Sequence, residues 1–291
     1  MKGVILAGGS GSRLYPITHA VSKQLLPIYD KPMVYYPLSV LMMAGVREIA
    51  VISTPHDLPL YERLLGSGAQ WGVRFVYVPQ ERPNGLAEAF ILAADFIAGD
   101  PVMLILGDNV FHGHGLIDVV RDAAGLTAGG RIFAHRVEDA RAYGVLEFDA
   151  EGRAIGIAEK PEHPKSRWAV TGLYVFDAAV TGIAKGLTPS ARGELEITDV
   201  IAAYMAKGAL EVERLGRGFA WLDTGTCNGL HDAASFIRTI QQRQGQMIAC
   251  PEEIAWRGGF ISDDALAALA GAHAQTGYRR YLEQLLEARD A

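Results

Sequence analysis

Apolar positions along the first half of the chain follow two alternating rhythms. Short apolar runs at Lys2–Leu6, Glu48–Ser53, Arg74–Val78 and Val102–Leu106 read as buried strands. Between them, Tyr36–Ala44, Asp57–Leu65 and Leu86–Ile97 carry apolar residues at helical spacing, and the first of these stops at Gly45. This alternation predicts βαβ units. The expected fold is therefore α/β, with a Rossmann-like, mostly parallel sheet covered by helices.

The pattern changes in the middle of the chain. Arg131–His135, Val145–Phe148, Ala154–Ala158 and Trp168–Phe176 read as strands joined by turns such as Asp149-Ala150-Glu151-Gly152. They predict a mixed-sheet part added to the parallel one. Helical spacing returns at Ala178–Lys185 and Ile197–Lys207, followed by strands at Leu210–Leu215 and Ala220–Leu222. From Thr226 onward the pattern is almost wholly helical, in at least three segments broken by Pro251, Gly258-Gly259 and Gly277. No internal repeat or linker-like tract divides the chain. The expected organisation is a core over residues 1–225 and a helical segment over 226–291, which suits a lid, an oligomer surface or a helical cap.

Composition narrows the function class. With 33 acidic residues against 27 Lys plus Arg in 291, the net charge is −6, so a nucleic-acid backbone is not the expected partner. No stretch approaches a membrane span, and the apolar run at the N-terminus is too short for a signal peptide. Two cysteines, Cys227 and Cys250, make neither a disulfide framework nor a four-ligand zinc site. A reduced, cytoplasmic, soluble protein is the expectation. Glycine is in surplus, 33 residues against a usual share of ~7%.

Part of that surplus sits in Leu6-Ala7-Gly8-Gly9-Ser10-Gly11-Ser12-Arg13-Leu14, directly after a predicted strand. Glycines at a βα turn let backbone N–H groups approach an anion at the carboxyl edge of the sheet. The dinucleotide fingerprint fails here because Leu14 stands where its third glycine belongs. The P-loop pattern fails because Gly9 stands where its lysine belongs. What remains is G-G-x-G-x-R, with Lys23 ten residues later in Ser22-Lys23-Gln24-Leu25-Leu26-Pro27. A planar guanidinium and a point-charge ammonium beside glycines suit a polyphosphate. Asp108, after Val102–Leu106, and Asp223, after Ala220–Leu222, each stand at a strand end, and two such carboxylates could converge on one Mg²⁺ together with substrate phosphates.

Gly8-Gly9-Ser10-Gly11-Ser12-Arg13-Leu14-Tyr15-Pro16 with Ser22–Pro27 resembles the signature of the sugar-1-phosphate nucleotidylyltransferase family. The continuation Tyr29-Asp30-Lys31-Pro32-Met33-Val34-Tyr35-Tyr36-Pro37-Leu38-Ser39 is similar to its thymidylyltransferase branch, and matches run on to Cys250-Pro251-Glu252-Glu253-Ile254-Ala255. The resemblance implies a nucleotide-diphospho-sugar transferase type of fold, with residues 1–110 as the nucleotide-binding half and 111–225 as the sugar-phosphate half. It implies Mg²⁺ as cofactor on Asp108 and Asp223, and dTTP and glucose 1-phosphate as substrates.

By the same resemblance Leu6, Gly8, Gly9, Gly11, Ser12, Arg13, Lys23, Gln24 and Asp108 bind the nucleotide, and Gln80 and Gly85 take thymine. Asn109, Tyr143, Gly144, Glu159, Lys160, Val170, Arg192 and Trp221 form the sugar-phosphate wall. Arg13, Lys23, Asp108, Lys160 and Asp223 are the expected catalytic group. A homotetramer, feedback by dTDP-L-rhamnose near a subunit interface, and no nucleic-acid or membrane partner are also implied. Alternatives are a UTP-dependent or other sugar-1-phosphate enzyme, and a silent nucleotide-sugar sensor. A silent relative should have lost one of Arg13, Lys23, Asp108 or Asp223. His112-Gly113-His114 reads as an ordinary loop, Cys227 as no nucleophile for want of an activating base, and Tyr35-Tyr36 as packing.

Overall fold

A computed structural model describes residues 1–9 and 11–288; Ser10 of the glycine motif lies outside the described residues. The chain opens with β1 (Lys2–Leu6), passes two single turns of 3-10 helix at Ser12–Leu14 and Lys23–Leu25, and makes a small hairpin of β2 (Pro27–Ile28) and β3 (Lys31–Pro32). Then α1 (Tyr35–Met43), β4 (Glu48–Ser53), α2 (Leu58–Leu65) and β5 (Arg74–Pro79) follow in βαβ order. β1 pairs in parallel with β4 and with β6 (Val102–Leu106), and β4 pairs in parallel with β5. Their registers place Leu6 opposite both Ile52 and Leu106. The carboxyl ends therefore finish level and share one edge, where ligands of open α/β sheets bind.

The helix expected over Leu86–Ile97 is two shorter ones, α3 (Glu88–Leu92) and α4 (Ala94–Ile97), parted at Ala93, whose ψ opens to 11°. It also starts later than expected. Gly85 takes φ +109°, and the Ala87 N–H donates to the Leu195 carbonyl at 3.1 Å, so this stretch serves a tertiary contact before the helix begins. The loop expected at His112–His114 is in part a strand. β7 (Asn109–Gly113) pairs antiparallel with β13 (Phe219–Asp223), with His112 opposite Ala220 and Gly113 opposite Phe219. The residue pattern had suggested no element over α5 (Leu116–Ala124), although Leu116, Val119, Val120 and Ala123 have helical spacing.

The middle builds the mixed part. β8 (Gly130–Arg136), β9 (Gly144–Phe148), β10 (Ala154–Glu159) and β11 (Trp168–Phe176) pair antiparallel around β11, which also lies antiparallel to β6. After α6 (Val180–Lys185) and α7 (Ile197–Ala206), β12 (Leu210–Arg214) joins β8 in parallel. The result is a nine-stranded sheet among the described residues. One face packs on α1, α2 and α5 through Leu38, Leu41, Tyr61, Leu65 and Val120, the other on α3, α6 and α7 through Phe90, Val180, Val200 and Ile201. Burial on both faces explains why the central strands are apolar throughout.

The tail is four helices: α8 (Cys227–Gln244), α9 (Pro251–Arg257), α10 (Asp263–Ala272) and α11 (Gly277–Glu287). Thr226, Ser262 and Thr276 each accept a backbone N–H at a helix start. Ala233 and Ile237 of α8 pack with Leu14, Leu26, Ile28 and Val110, which ties the segment carrying Arg13 and Lys23 to β7. No helix among the described residues is long and apolar enough to cross a membrane.

Candidate active site

Two cavities meet at the carboxyl edge of the sheet. The first, of about 220 Å³, is lined by Gly8, Gly9, Gly11, Ser12, Arg13, Lys23, Gln24, Asp108 and Gly225. Gly9 and Gly11 turn through φ +109° and +56°, a region that costs a side chain but not glycine. The Gln24 Nε2 donates to the Gly8 carbonyl at 3.3 Å, and the Ser22 hydroxyl holds Gln24 Oε1 at 3.0 Å. Gln24 thus orders the loop as well as lining it. Leu6 lies beneath, buried, its carbonyl accepting from Gly107 N at 2.9 Å, and does not line the cavity. Arg13 is exposed on its single helical turn, whereas Lys23 is buried with its ammonium on Asp108 Oδ2.

The second cavity, of about 240 Å³, contains Arg13 and Asp108 again, with Asn109, Tyr143, Gly144, Glu159, Lys160, Val170, Trp221 and Asp223. Asn109 is the junction piece. Its Nδ2 donates to Asp108 Oδ1 at 2.9 Å, while its Oδ1 accepts from Gly172 N at 3.0 Å and Trp221 Nε1 at 2.5 Å. Asp108 is thereby oriented from β11 and β13 together. Trp221 in turn meets the Tyr143 ring at 5.0 Å. Lys160 stands at φ +40° with its ammonium 3.4 Å from Glu159 Oε1. Arg192 is not among the residues lining this cavity; Glu159, Glu194 and Glu196 surround its guanidinium at 3.3, 2.9 and 3.5 Å.

Asp223 sits at the end of β13, its Oδ1 accepting from Gly225 N at 2.9 Å. Burial, and then the negative Asp108 nearby, push its carboxyl above the usual range, against the opposing pull of Lys23 and Arg13. The two aspartates, 115 positions apart, therefore share one field. Gly225 leaves room for the carboxylate: a Cβ there would stand 3.0 Å from Asp223 Oδ1. Thr224, inside the motif that carries Asp223, fixes the strand end by donating to the Asp108 carbonyl at 2.8 Å.

Gln80 and Gly85 line neither cavity, but both border them. Gln80 Oε1 lies over Gly8, and Leu86, next to Gly85, lines the second cavity. His112 points elsewhere, edge-on to Phe236 at 5.8 Å, and burial lowers its pKa; His114 is exposed. Cys227 is exposed at the start of α8, while Cys250 is buried. Tyr36 is buried and donates to the Ile28 carbonyl at 2.8 Å, and Tyr35 packs edge-on to Trp71 at 5.6 Å.

The model of the nucleotidyl transferase family matches residues 2–240. A glucose-1-phosphate thymidylyltransferase of Xanthomonas campestris pv. campestris is 56% identical over 284 residues, covering 98% of this chain and 96% of its own. One from Neisseria meningitidis serogroup A is 55% identical over 287 residues, covering 99% and 100%. The crystal structure of a candidate glucose-1-phosphate thymidylyltransferase from Bacillus anthracis, in complex with sucrose, superposes with a TM-score of 0.76 at 39% identity, covering 82% of this chain and 95% of that one. With its family model spanning most of the sequence and close relatives spanning nearly all of it, the chain belongs to the nucleotidyl transferase family, among the glucose-1-phosphate thymidylyltransferases.

Proposed function

We propose that the chain catalyses Mg²⁺-dependent transfer of a thymidylyl group from dTTP to α-D-glucose 1-phosphate. The products are dTDP-glucose and pyrophosphate, and the reaction opens dTDP-L-rhamnose or related deoxysugar synthesis. One observation carries the reading: Arg13 and Asp108 line both cavities, so a triphosphate in one and a sugar phosphate in the other would meet at these side chains. A phosphate oxygen of glucose 1-phosphate forms the new bond to the α-phosphorus. The bond to the bridging oxygen breaks, and its electron pair leaves with pyrophosphate.

The protein's part is positioning and charge stabilisation. Arg13 and Lys23 hold the triphosphate and balance charge as pyrophosphate departs. Lys160 orients the attacking phosphate, and Glu159 accepts from sugar hydroxyls. Gln80 and Gly85 take the base, while Asn109 and Trp221 steady Asp108 beneath the reacting phosphorus. The donor set suits Mg²⁺, a hard cation that takes one or two carboxylates and fills its shell with water and phosphate oxygens. Asp108 and Asp223 would hold it, and its charge would offset the burial and the neighbouring Asp108 that together raise the Asp223 carboxyl. When bound it neutralises the α-phosphate and organises the pyrophosphate.

The same reading places the protein in the cytoplasm, as a homotetramer under feedback by dTDP-rhamnose. A separate cavity of about 340 Å³ between α1, β7 and α9, lined in part by Ser39, His112, Arg121, Glu253 and Arg257, supports a regulatory site away from the chemistry. Pyrophosphate release measured over dTTP, UTP, CTP and GTP with glucose 1-phosphate, with and without dTDP-rhamnose, tests all of this. dTTP should lead with UTP behind it, since one methyl is worth only ~1–3 kcal/mol. Preference for CTP or GTP, or no release at all, would sink the reading.

A further inference from the structure

A glutamine at a base site is an ambiguous reader. Its carboxamide ends in an acceptor and a donor of nearly the same shape, and the end that faces the ligand decides which pyrimidine is accepted. In this fold the surroundings remove the ambiguity. Gln80 is 4% exposed, and its backbone N–H donates to the Ser53 carbonyl at 2.8 Å. Its Nε2 donates to Glu88 Oε2 at 2.8 Å, in the first turn of α3. The other oxygen of Glu88 accepts from Asn84 Nδ2, also at 2.8 Å.

A carboxylate accepts and does not donate. The Gln80 amide cannot turn over without setting its own oxygen against a carboxylate oxygen. Oε1 is therefore held on the side away from Glu88. It lies over Gly8, where a Cβ would come within 2.5 Å of it, and no donor among the described residues reaches it. The support for Glu88 is also fixed. Leu195 N donates to the Asn84 carbonyl at 2.7 Å, Ala87 N donates to the Leu195 carbonyl at 3.1 Å, and the Leu195 backbone packs directly on Gly85. Loop movement cannot readily relieve a turned amide.

We infer that Glu88 is the positioning residue for pyrimidine selection. It holds the Gln80 carbonyl oxygen toward the base, so that the site accepts rings carrying an N3–H, thymine and uracil, and rejects cytosine, whose N3 is an acceptor. The inference rests on the thymidylyl-transfer reading above and adds the residue that enforces its base choice. Substituting Glu88→Gln keeps size and shape but offers either end of an amide to Gln80, so the turned form is no longer penalised.

The test is steady-state kinetics of the wild type, Glu88→Gln and Glu88→Ala with glucose 1-phosphate and each of dTTP, UTP and CTP. In Glu88→Gln, kcat/KM for CTP should rise about tenfold or more, the size of one buried hydrogen bond made instead of opposed. The dTTP and UTP values should stay within roughly threefold, with kcat unchanged. In Glu88→Ala the KM for dTTP should rise about fivefold while kcat holds. An unchanged CTP-to-dTTP ratio in Glu88→Gln, or a loss of kcat for dTTP without a change in KM, overturns the role of Glu88 and leaves the thymidylyl reading standing. A wild type that turns over none of the three nucleotides overturns that reading itself.

Discussion

Position 85 admits only glycine, for two separate reasons. Its φ of +109° lies where L side chains are strained, and a Cβ would overlap the Leu195 backbone. Gly85→Ala should therefore cost about 1–3 kcal/mol of stability in urea denaturation and raise the KM for dTTP. Asp223 presents the opposite case. Burial and Asp108 raise its folded pKa above the unfolded value, so the stability tied to its protonation is complete below the unfolded pKa and lost as pH rises through the folded one. In metal-free protein at neutral pH, Asp223→Asn should melt higher than the wild type, and the difference should shrink on acidification. An equal or lower melting temperature at pH 7 contradicts the cost of ionising Asp223, which burial sets first and Asp108 adds to. Both aspartates were legible in the sequence because each closes an apolar strand. The ammonium of Lys23 on Asp108 was not, since it joins positions 85 apart, and neither were the three carboxylates around Arg192.

Among the elements, the small β2–β3 hairpin shows how a short segment holds a long one. Lys31, buried, reaches Asp30 Oδ1 at 2.5 Å and Gln241 Oε1 at 3.2 Å, while Gln241 Nε2 donates to Asp30 Oδ2 at 2.8 Å. These contacts pin the hairpin to the last turns of α8. The other end of α8 starts immediately after Asp223-Thr224-Gly225. Lys31→Met should leave Asp30 without its cation and destabilise the fold by roughly 2 kcal/mol, measured by thermal or urea unfolding. Long apolar strands such as β1, β6 and β11 stood where their residue patterns put them. β7 did not, because His112-Gly113-His114 carries turn-like residues and only pairing with β13 makes it extended. The late start of the expected 86–97 helix was equally hidden, since the Ala87 N–H is taken by the Leu195 carbonyl across the fold.

At the scale of the whole molecule, a net charge of −6 coexists with the proposed site for two anionic substrates. Arg13, Lys23 and Lys160 stand among the carboxylates of two adjoining cavities, and a few placed cations with one metal ion can reverse the field locally. The family and the sheet class were readable from the sequence because the glycine loop and the strand alternation are local signals. The junction of the cavities was not, because it exists only once β1, β6 and β13 are brought to one edge. Nucleotidylyl transfer at that junction is tested by pyrophosphate release from the wild type and Asp223→Asn, with dTTP, glucose 1-phosphate and Mg²⁺. The wild type should form one dTDP-glucose per pyrophosphate, and the folded variant should turn over about 10²–10³-fold more slowly. Turnover of Asp223→Asn near the wild-type rate, or pyrophosphate without dTDP-glucose, would rule out chemistry at the junction.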